Sequence, residues 1–333
     1  MSARCRRCNR LCLSNDGARI GAPKRKGSAT LKTEVYRFKV GDFECMAIND
    51  GTFIYKPPLI PPPADFLFAN APKRLLDQTL RDHGIQPERW TEFVTPYTCV
   101  MINTGKHKVL VDTGADGLTP ETGRLLRNLQ AVGIEAGDID TVILTHAHDD
   151  HIGGNTDAKG KSAFPNARYV MWRDEWTFWT SEQPETLYEN EDFTFVRKNL
   201  LPIQDQIDLL DHEAEIVPGI RAVPAPGHTP GHLAVSVSSN GKQLLCISDA
   251  FLHPIHIEHP EWHAAHEVAP EQITKTRHFL LNKAATEEAL VLAFHFSFPG
   301  LGHVVRRGTR WQWKPIGTMT QGRPLASSSN SEN

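Results

Sequence analysis

The sequence lacks several features that would assign a protein to a specialised class. No apolar run approaches the roughly 20 residues that a membrane-spanning helix needs. The 333 residues carry a formal net charge of only −3, which gives no reason to expect a nucleic acid or an anionic membrane as a partner. The apolar and charged fractions, 40% and 23%, are ordinary for a globular protein, so we expect a globular chain without either partner.

Cysteine is also scarce, with six residues in the whole chain. Three of them stand at positions 5, 8 and 12, and the other three lie in apolar, strand-like segments where cysteine usually acts as a small hydrophobe. This distribution does not form the disulfide framework of a small secreted protein. The first three cysteines offer part of a zinc site, but no fourth ligand stands nearby, which favours an unfolded tail.

Composition divides the chain into three segments. Residues 1–33 carry nine Lys or Arg against one Asp, a charge of about +8 that leaves about −11 for the rest. This polar segment predicts a disordered basic tail, and it lacks the apolar stretch of a secretory signal, so we expect a cytoplasmic protein. Residues 34–317 are expected to form one domain, and the Ser- and Asn-rich residues 318–333 a flexible C-terminal tail.

Alternation and turn signals predict the first elements of that domain. Residues 35–40 and 43–48 alternate like two strands around the two-residue turn Gly41-Asp42. Residues 120–132 have helical spacing, with Thr119 as N-cap and Pro120 at the first position. Residues 253–266 contain five histidines among several prolines, which we interpret as a surface loop or lid.

The most informative stretch is Thr145-His146-Ala147-His148-Asp149-Asp150-His151, which follows a short apolar run typical of a buried strand. In an extended segment, residues i and i+2 point the same way, so His146 and His148 can bind one ion. Asp150 and His151 lie past the strand end, where a turn can direct them at a second ion. Imidazole and carboxylate ligands together favour zinc.

Three further motifs follow along the chain: Gly227-His228-Thr229-Pro230-Gly231-His232, Ser248-Asp249-Ala250 and Phe294-His295-Phe296. Together with the first motif they resemble the metallo-β-lactamase superfamily pattern H-x-H-x-D-H, a later His, a bridging Asp and a final His. The resemblance covers roughly residues 34 to 316. Residues 295–304, 40–43 and 49–51 are most similar to the branch that contains methyl parathion hydrolase-like enzymes and related lactonases.

The resemblance implies an α/β (α+β) fold, the αββα sandwich, with the site in a cleft at one edge. It implies two divalent ions, expected to be zinc, and a bridging role for Asp249. His303 competes with His295 for the last ligand position, and we prefer His295 because a strand ends on it. The resemblance also implies that Asp112, at a strand end, orients a ligand histidine. The implied ligands are His146, His148 and His228 for one ion and Asp150, His151 and His295 for the other.

The resemblance further implies a hydrolase in which a hydroxide held between the metals attacks an ester, with Asp150 and Asp249 as catalytic residues. Pocket candidates are apolar, and no basic cluster stands beside the motifs. We therefore expect a promiscuous enzyme on small, neutral, hydrophobic esters, namely lactones, aryl esters and phosphotriesters. The pocket candidates are Phe66, Phe68, Trp179 and Leu252.

Two alternatives stay open at this point. One is a thioesterase similar to glyoxalase II on the same fold, which a glutathione thioester assay would distinguish. The other is a noncatalytic metal-binding protein that kept the fold, although all seven ligand positions are filled here. The sequence does not decide between a monomer and a homodimer.

Overall fold

A computed structural model describes residues 34–181, 188 and 190–316 of the chain. The expected basic tail over residues 1–33 and the expected flexible tail over residues 318–333 lie outside the described residues. No described helix is long and apolar enough to cross a membrane.

The first sheet of the described chain has seven strands that neighbour one another in chain order. The first four are antiparallel and the last four run parallel, so the sheet is mixed. A bulge between Asn49 and Gly51 interrupts the pairing of the second strand. The strands are β1 (Val35–Val40), β2 (Phe43–Tyr55), β3 (Phe93–Asn103), β4 (Lys108–Val111), β5 (Thr141–Ile143), β6 (Arg168–Trp172) and β7 (Ile207–Leu210).

The second sheet also has seven strands within the described residues, again in continuous chain order. All neighbours are antiparallel except one parallel pair, the fourth and fifth strands of this sheet. That pair needs a long crossover, and the helical segment between its strands provides it. The strands are β8 (Ala214–Val217), β9 (Ile220–Pro224), β10 (Leu233–Ser239), β11 (Lys242–Cys246), β12 (Leu290–Leu292), β13 (Leu301–Arg307) and β14 (Arg310–Pro315).

Helices cover the outer faces of the two sheets. Residues 248–250, which follow β11, form one turn of 3₁₀-helix. The α-helices of the described chain are α1 (Pro63–Leu67), α2 (Lys73–Asp82), α3 (Leu125–Ala131), α4 (Asp149–Ile152), α5 (Arg173–Thr180), α6 (Asn190–Leu200), α7 (Ile255–Glu258) and α8 (Pro270–Thr286).

Apolar side chains are buried in layers that match this order of elements. One cluster lies between the sheets, where Val100 and Val109 of the first sheet meet Val235 and Leu244 of the second. A second cluster joins the first sheet to α3, α5 and α6, and a third joins the second sheet to α8. Helix, sheet, sheet and helix therefore stack in that order, which is the αββα sandwich that the sequence motifs imply.

The strand predictions agree with the structure, whereas the predicted start of α3 is wrong. Thr119 does not cap a helix, because Thr122 donates its backbone N–H to the Thr119 carbonyl in a turn. The helix begins at Leu125, where the buried Asp50 carboxylate accepts that residue's backbone N–H at 2.7 Å. A distant carboxylate thus provides the cap that the local sequence was expected to supply.

The histidine-rich residues 253–266 are not the surface loop that their prolines predicted. His256 lies in α7 and is fully buried, with Nε2 2.8 Å from the Leu67 carbonyl oxygen. His259 stacks on Trp262 with ring centroids 3.8 Å apart. Backbone partners and aromatic stacking therefore bury imidazoles that the sequence pattern alone left exposed.

Substitution Asp50→Ala tests the long-range cap. The carboxylate accepts backbone N–H groups of Ala115, Gly123 and Leu125 at 2.7–3.1 Å. Losing it leaves these donors buried without a partner, so we expect the free energy of unfolding to fall by about 3 kcal/mol or more.

Urea unfolding of metal-loaded protein measures this change. The control is Asp65→Ala, an exposed carboxylate in α1 that should change the value by no more than about 0.5 kcal/mol. Equal midpoints for the two variants would contradict the capping role of Asp50.

Candidate metal centre

The seven candidate ligands lie just after strand ends, and both sheets contribute. His146 and His148 follow β5, and α4 immediately carries Asp150 and His151. The second sheet supplies the rest from three separate loops. His228 follows β9, Asp249 lies in the turn after β11, and His295 follows β12.

One group consists of three imidazoles and a carboxylate whose ligand atoms all lie within 4.8 Å of one another. His148 Nδ1 lies 2.9 Å from His146 Nε2 and 3.0 Å from His228 Nε2. Asp249 Oδ2 is 3.5 Å from His228 Nε2. Three ring nitrogens and one oxygen therefore converge on a single point, as the ligands of a tetrahedral ion do.

A second group joins Asp150, His151 and His295 on the other side of Asp249. His295 Nε2 lies 3.0 Å from Asp249 Oδ2 and 3.4 Å from Asp150 Oδ2. Asp249 Oδ1 faces His151 Nε2 at 3.2 Å. Because its Oδ2 lies near histidines of both groups and its Oδ1 faces His151 of the second, Asp249 has the geometry of a bridging carboxylate.

The electrostatics of these residues fit a pair of cations. His151 Nε2 and Asp249 Oδ1 are buried and make no hydrogen bond. Asp249 belongs to the first group and His151 to the second. Burial lowers the pKa of His146 and His148 well below the usual value, and neighbouring imidazoles lower it further, so both rings are neutral. Burial would raise the pKa of Asp249, but His295 and His151 outweigh it and keep the carboxylate charged. Burial would lower the pKa of His151 and His228, but the surrounding carboxylates outweigh it and raise the pKa of both rings, so these two imidazoles would release a proton when metal binds.

Asp112 lies behind the second group, at the end of β4. Its Oδ2 is 2.8 Å from His151 Nδ1, and the same oxygen accepts the Thr145 hydroxyl at 2.8 Å. The Thr145 hydroxyl also lies 2.9 Å from that of Ser248, next to Asp249 in the other sheet. Asp112 and Ser248 both adopt positive φ, +60° and +42°, a strained conformation that this network holds in place.

Two more residues hold ligand histidines, and the sequence analysis missed both. Glu267 Oε2 lies 2.9 Å from His228 Nδ1, and Thr95 Oγ1 lies 3.1 Å from His295 Nδ1. They stand 39 and 200 residues from their histidines, so no local pattern connects them.

Trp179 supports the site from behind and does not line the cavity described below, although the aromatic pattern suggested a pocket wall. Its ring is fully buried, and its Nε1 donates to Glu175 Oε1 at 2.8 Å. The same carboxylate accepts the backbone N–H groups of Ala147 at 2.9 Å and Gly231 at 3.0 Å. Glu175 thus joins the loop that carries His146 and His148 to the loop that carries His228.

A cavity of about 360 Å³ opens beside His295. Of the four pocket candidates, Leu252 lines it, together with Trp90 and Phe93. Phe66 and Phe68 do not line it; they are buried in the same apolar cluster as Leu252 and Phe93, where Phe66 stacks on His266 with centroids 4.7 Å apart.

The rival ligand His303 lies away from both groups. It stands exposed on β13, and its Nδ1 lies 3.1 Å from the Ala289 carbonyl oxygen. The structure brings His295, and not His303, to the other ligands.

A family comparison agrees with this fold and site. The model of the metallo-beta-lactamase superfamily matches residues 93–295. The chain therefore belongs to the metallo-beta-lactamase superfamily. Its relatives and structural neighbours of this fold include lactonases and other metal-dependent hydrolases, and the chain is a metal-dependent hydrolase of that kind.

Individual relatives and structural neighbours have more narrowly described activities than the superfamily as a whole. An N-acyl homoserine lactonase of a Bacillus species is 27% identical over 206 residues, which cover 55% of this chain and 75% of that protein. AidC, described as a dizinc quorum-quenching lactonase, shares 26% identity with a TM-score of 0.76, covering 86% of this chain and 99% of its own. The hydrolase AbOPH shares 25% identity with a TM-score of 0.75, covering 87% and 99% respectively.

Substitution Asp249→Ala tests the bridge. Asp249 is the one carboxylate that faces both groups, so its loss should reduce the bound metal from about two ions per chain to one or fewer. Turnover should fall by about 100-fold or more. Elemental analysis of the purified protein measures the metal, and circular dichroism should show that the fold survives.

The matched control is Asp208→Ala, because this exposed carboxylate on β7 pairs only with Arg168 at the surface. It should keep both metals and full turnover. A wild-type metal content and rate in Asp249→Ala would contradict the bridging role.

Proposed function

We propose that the chain hydrolyses neutral, hydrophobic esters, with lactones as the principal class, at a centre of two zinc ions. The cavity beside His295 is the observation that carries this proposal. Five imidazoles and two carboxylates form a ligand set that suits zinc. In this proposal His146, His148 and His228 hold one ion, Asp150, His151 and His295 hold the other, and Asp249 bridges them.

The shape and chemistry of the cavity support a hydrophobic substrate. At about 360 Å³ it falls within the size range of small-molecule sites. Trp90, Phe93 and Leu252 present apolar surface, and His295 is the candidate ligand that lies at the cavity wall. An apolar chain in this space would gain about 25 cal/mol per Å² of surface removed from water, with little dependence on its exact shape. Weak shape discrimination would allow aryl esters and phosphotriesters to react as well.

The charges around the cavity favour a neutral substrate. Among the described residues that line it, none is Lys or Arg, and Glu92 contributes a carboxylate. Burial lowers the pKa of His253 to about 3, so this lining imidazole is uncharged at neutral pH. An anionic group on the part of the substrate away from the metals would therefore meet no Lys or Arg among the described lining residues, which argues against glutathione thioesters.

The lactonase relatives support the substrate class. AidC was solved in complex with a product, N-hexanoyl-L-homoserine, and the Bacillus relatives are N-acyl homoserine lactonases. Two divalent ions would supply a hydroxide nucleophile at neutral pH and stabilise charge on the attacked oxygen. Asp249 would fix the spacing of the site through both of its oxygens. Asp150 would hold one ion through one carboxylate oxygen, and its other oxygen would take the proton of the attacking hydroxide and pass it to the leaving oxygen.

A hydrolysis screen with measured metal content tests this function. We expect turnover of an N-acyl lactone and an aryl ester, slower turnover of a phosphotriester, and poor turnover of a glutathione thioester. Chelation should abolish all of it, and zinc should restore it. If the thioester were the best substrate, or if metal-loaded protein hydrolysed none of the four, the neutral-ester proposal would be wrong.

Substitution Trp90→Ala tests the cavity as the substrate site. Removing the indole should raise KM for a long-chain lactone about 10-fold and for a short-chain lactone much less, because only the long chain reaches that wall. The control is Trp176→Ala, since Trp176 is also half-buried but lines a separate groove near Ile207. Steady-state kinetics with both lactones would count against this site if the two variants had equal KM values.

A further inference from the structure

Glu267 lies fully buried between a site histidine and a buried cation. Its Oε2 is 2.9 Å from His228 Nδ1, and its Oε1 accepts Arg277 Nη2 at 2.8 Å. All three side chains have no exposed surface. A buried carboxylate is costly unless every oxygen has a partner, and here both oxygens have one.

Arg277 extends this connection to the loop that carries Asp249. From α8, its Nε donates to the Ala250 carbonyl at 2.5 Å, and Ala250 directly follows Asp249. Its Nη1 donates to the Trp262 carbonyl at 2.5 Å, and its guanidinium carbon lies 5.6 Å from the centre of the Phe251 ring. Each part of the guanidinium therefore has a defined partner, as its rigid planar fork requires.

His228 and Asp249 come from separate loops, after β9 and after β11, yet Arg277 is linked to both, to His228 through Glu267 and to Asp249 through the carbonyl of the next residue, Ala250. We propose that Glu267 and Arg277 are positioning residues that fix His228 relative to Asp249 and so set the metal affinity of the group formed with His146 and His148. The inference rests on the two-metal centre of the proposed function.

The hydrogen bond decides which nitrogen of His228 faces the site. With Nδ1–H donated to Glu267, the proton is kept on that nitrogen, and the lone pair of Nε2 is directed at His148 and Asp249. Asp112 and Thr95 hold the histidines of the other group, and neither contacts Glu267. Damage to the Glu267 pair should therefore weaken one ion selectively.

Substitution Glu267→Gln is the direct test. A glutamine has a single acceptor oxygen, so either His228 or Arg277 loses its partner. We expect one of the two zinc dissociation constants to rise about 10- to 100-fold and the other to stay within about 3-fold. Chelator competition on apo-protein, with zinc alone as the probe, measures both constants without any substrate.

Companion variants make the result specific. Glu267→Asp keeps the charge and should restore part of the lost affinity; it also replaces Glu267→Gln if that variant fails to fold. Thr95→Val should weaken the other ion, so the double variant Glu267→Gln/Thr95→Val should hold neither tightly. The control is Glu271→Gln, an exposed carboxylate in the first turn of α8, and it should keep both constants.

A purely structural pair would give a different result. It would lower the unfolding temperature of apo- and metal-loaded protein alike and leave both zinc constants of the folded variant unchanged, which would overturn the inference. Failure of the proposed function is distinguishable, because wild-type protein would then bind no zinc or hydrolyse no ester whatever the behaviour of Glu267→Gln.

Discussion

Each imidazole has two ring nitrogens. A histidine binds a metal ion well only when a hydrogen bond holds its outer nitrogen, the one that faces away from the ion, because that bond directs the inner nitrogen at the ion. His151 is held by Asp112, His228 by Glu267, His295 by Thr95 and His148 by the Tyr188 hydroxyl at 2.7 Å. Because the site is buried, any outer nitrogen without a partner would cost stability as well as orientation. The surrounding elements are arranged so that a carboxylate or hydroxyl reaches each of these rings.

This requirement explains why the buried carboxylates Asp112, Glu175 and Glu267 lie behind the site. The Glu175 carboxylate accepts hydrogen bonds from Ala147, Gly231 and Trp179, and the first two fix the two ligand loops against each other. A Cβ on Gly231 would lie 2.1 Å from the Glu175 backbone nitrogen, so the approach of these segments depends on glycine at that position. Polar groups thus determine the loop geometry, whereas the apolar layers hold the sheets that the loops leave.

The sequence predicts the parts of this arrangement that are local. His146 and His148 share a direction because they stand two positions apart at a strand end, and the apolar run before them marks that end. Glu267, Thr95 and Asp50 act on residues far away in the chain, so their roles emerge only once both sheets are assembled. Trp179 is a different case: aromatic density predicted its proximity to the site, but its partner Glu175, four residues earlier in α5, holds the indole N–H in the buried interior.

The origin of the ligands has a mechanical consequence. Four of them come from the first sheet and three from the second, so bound metal would fasten the two halves of the sandwich together like a covalent cross-link. Ligands from the two sheets lie about 80 to 150 residues apart in the chain, so only the folded chain would hold both ions, and their binding free energy would stabilise that fold. Unlike a disulfide, this metal link between the sheets would be broken by loss or exchange of the ions and would not depend on the redox state of its surroundings.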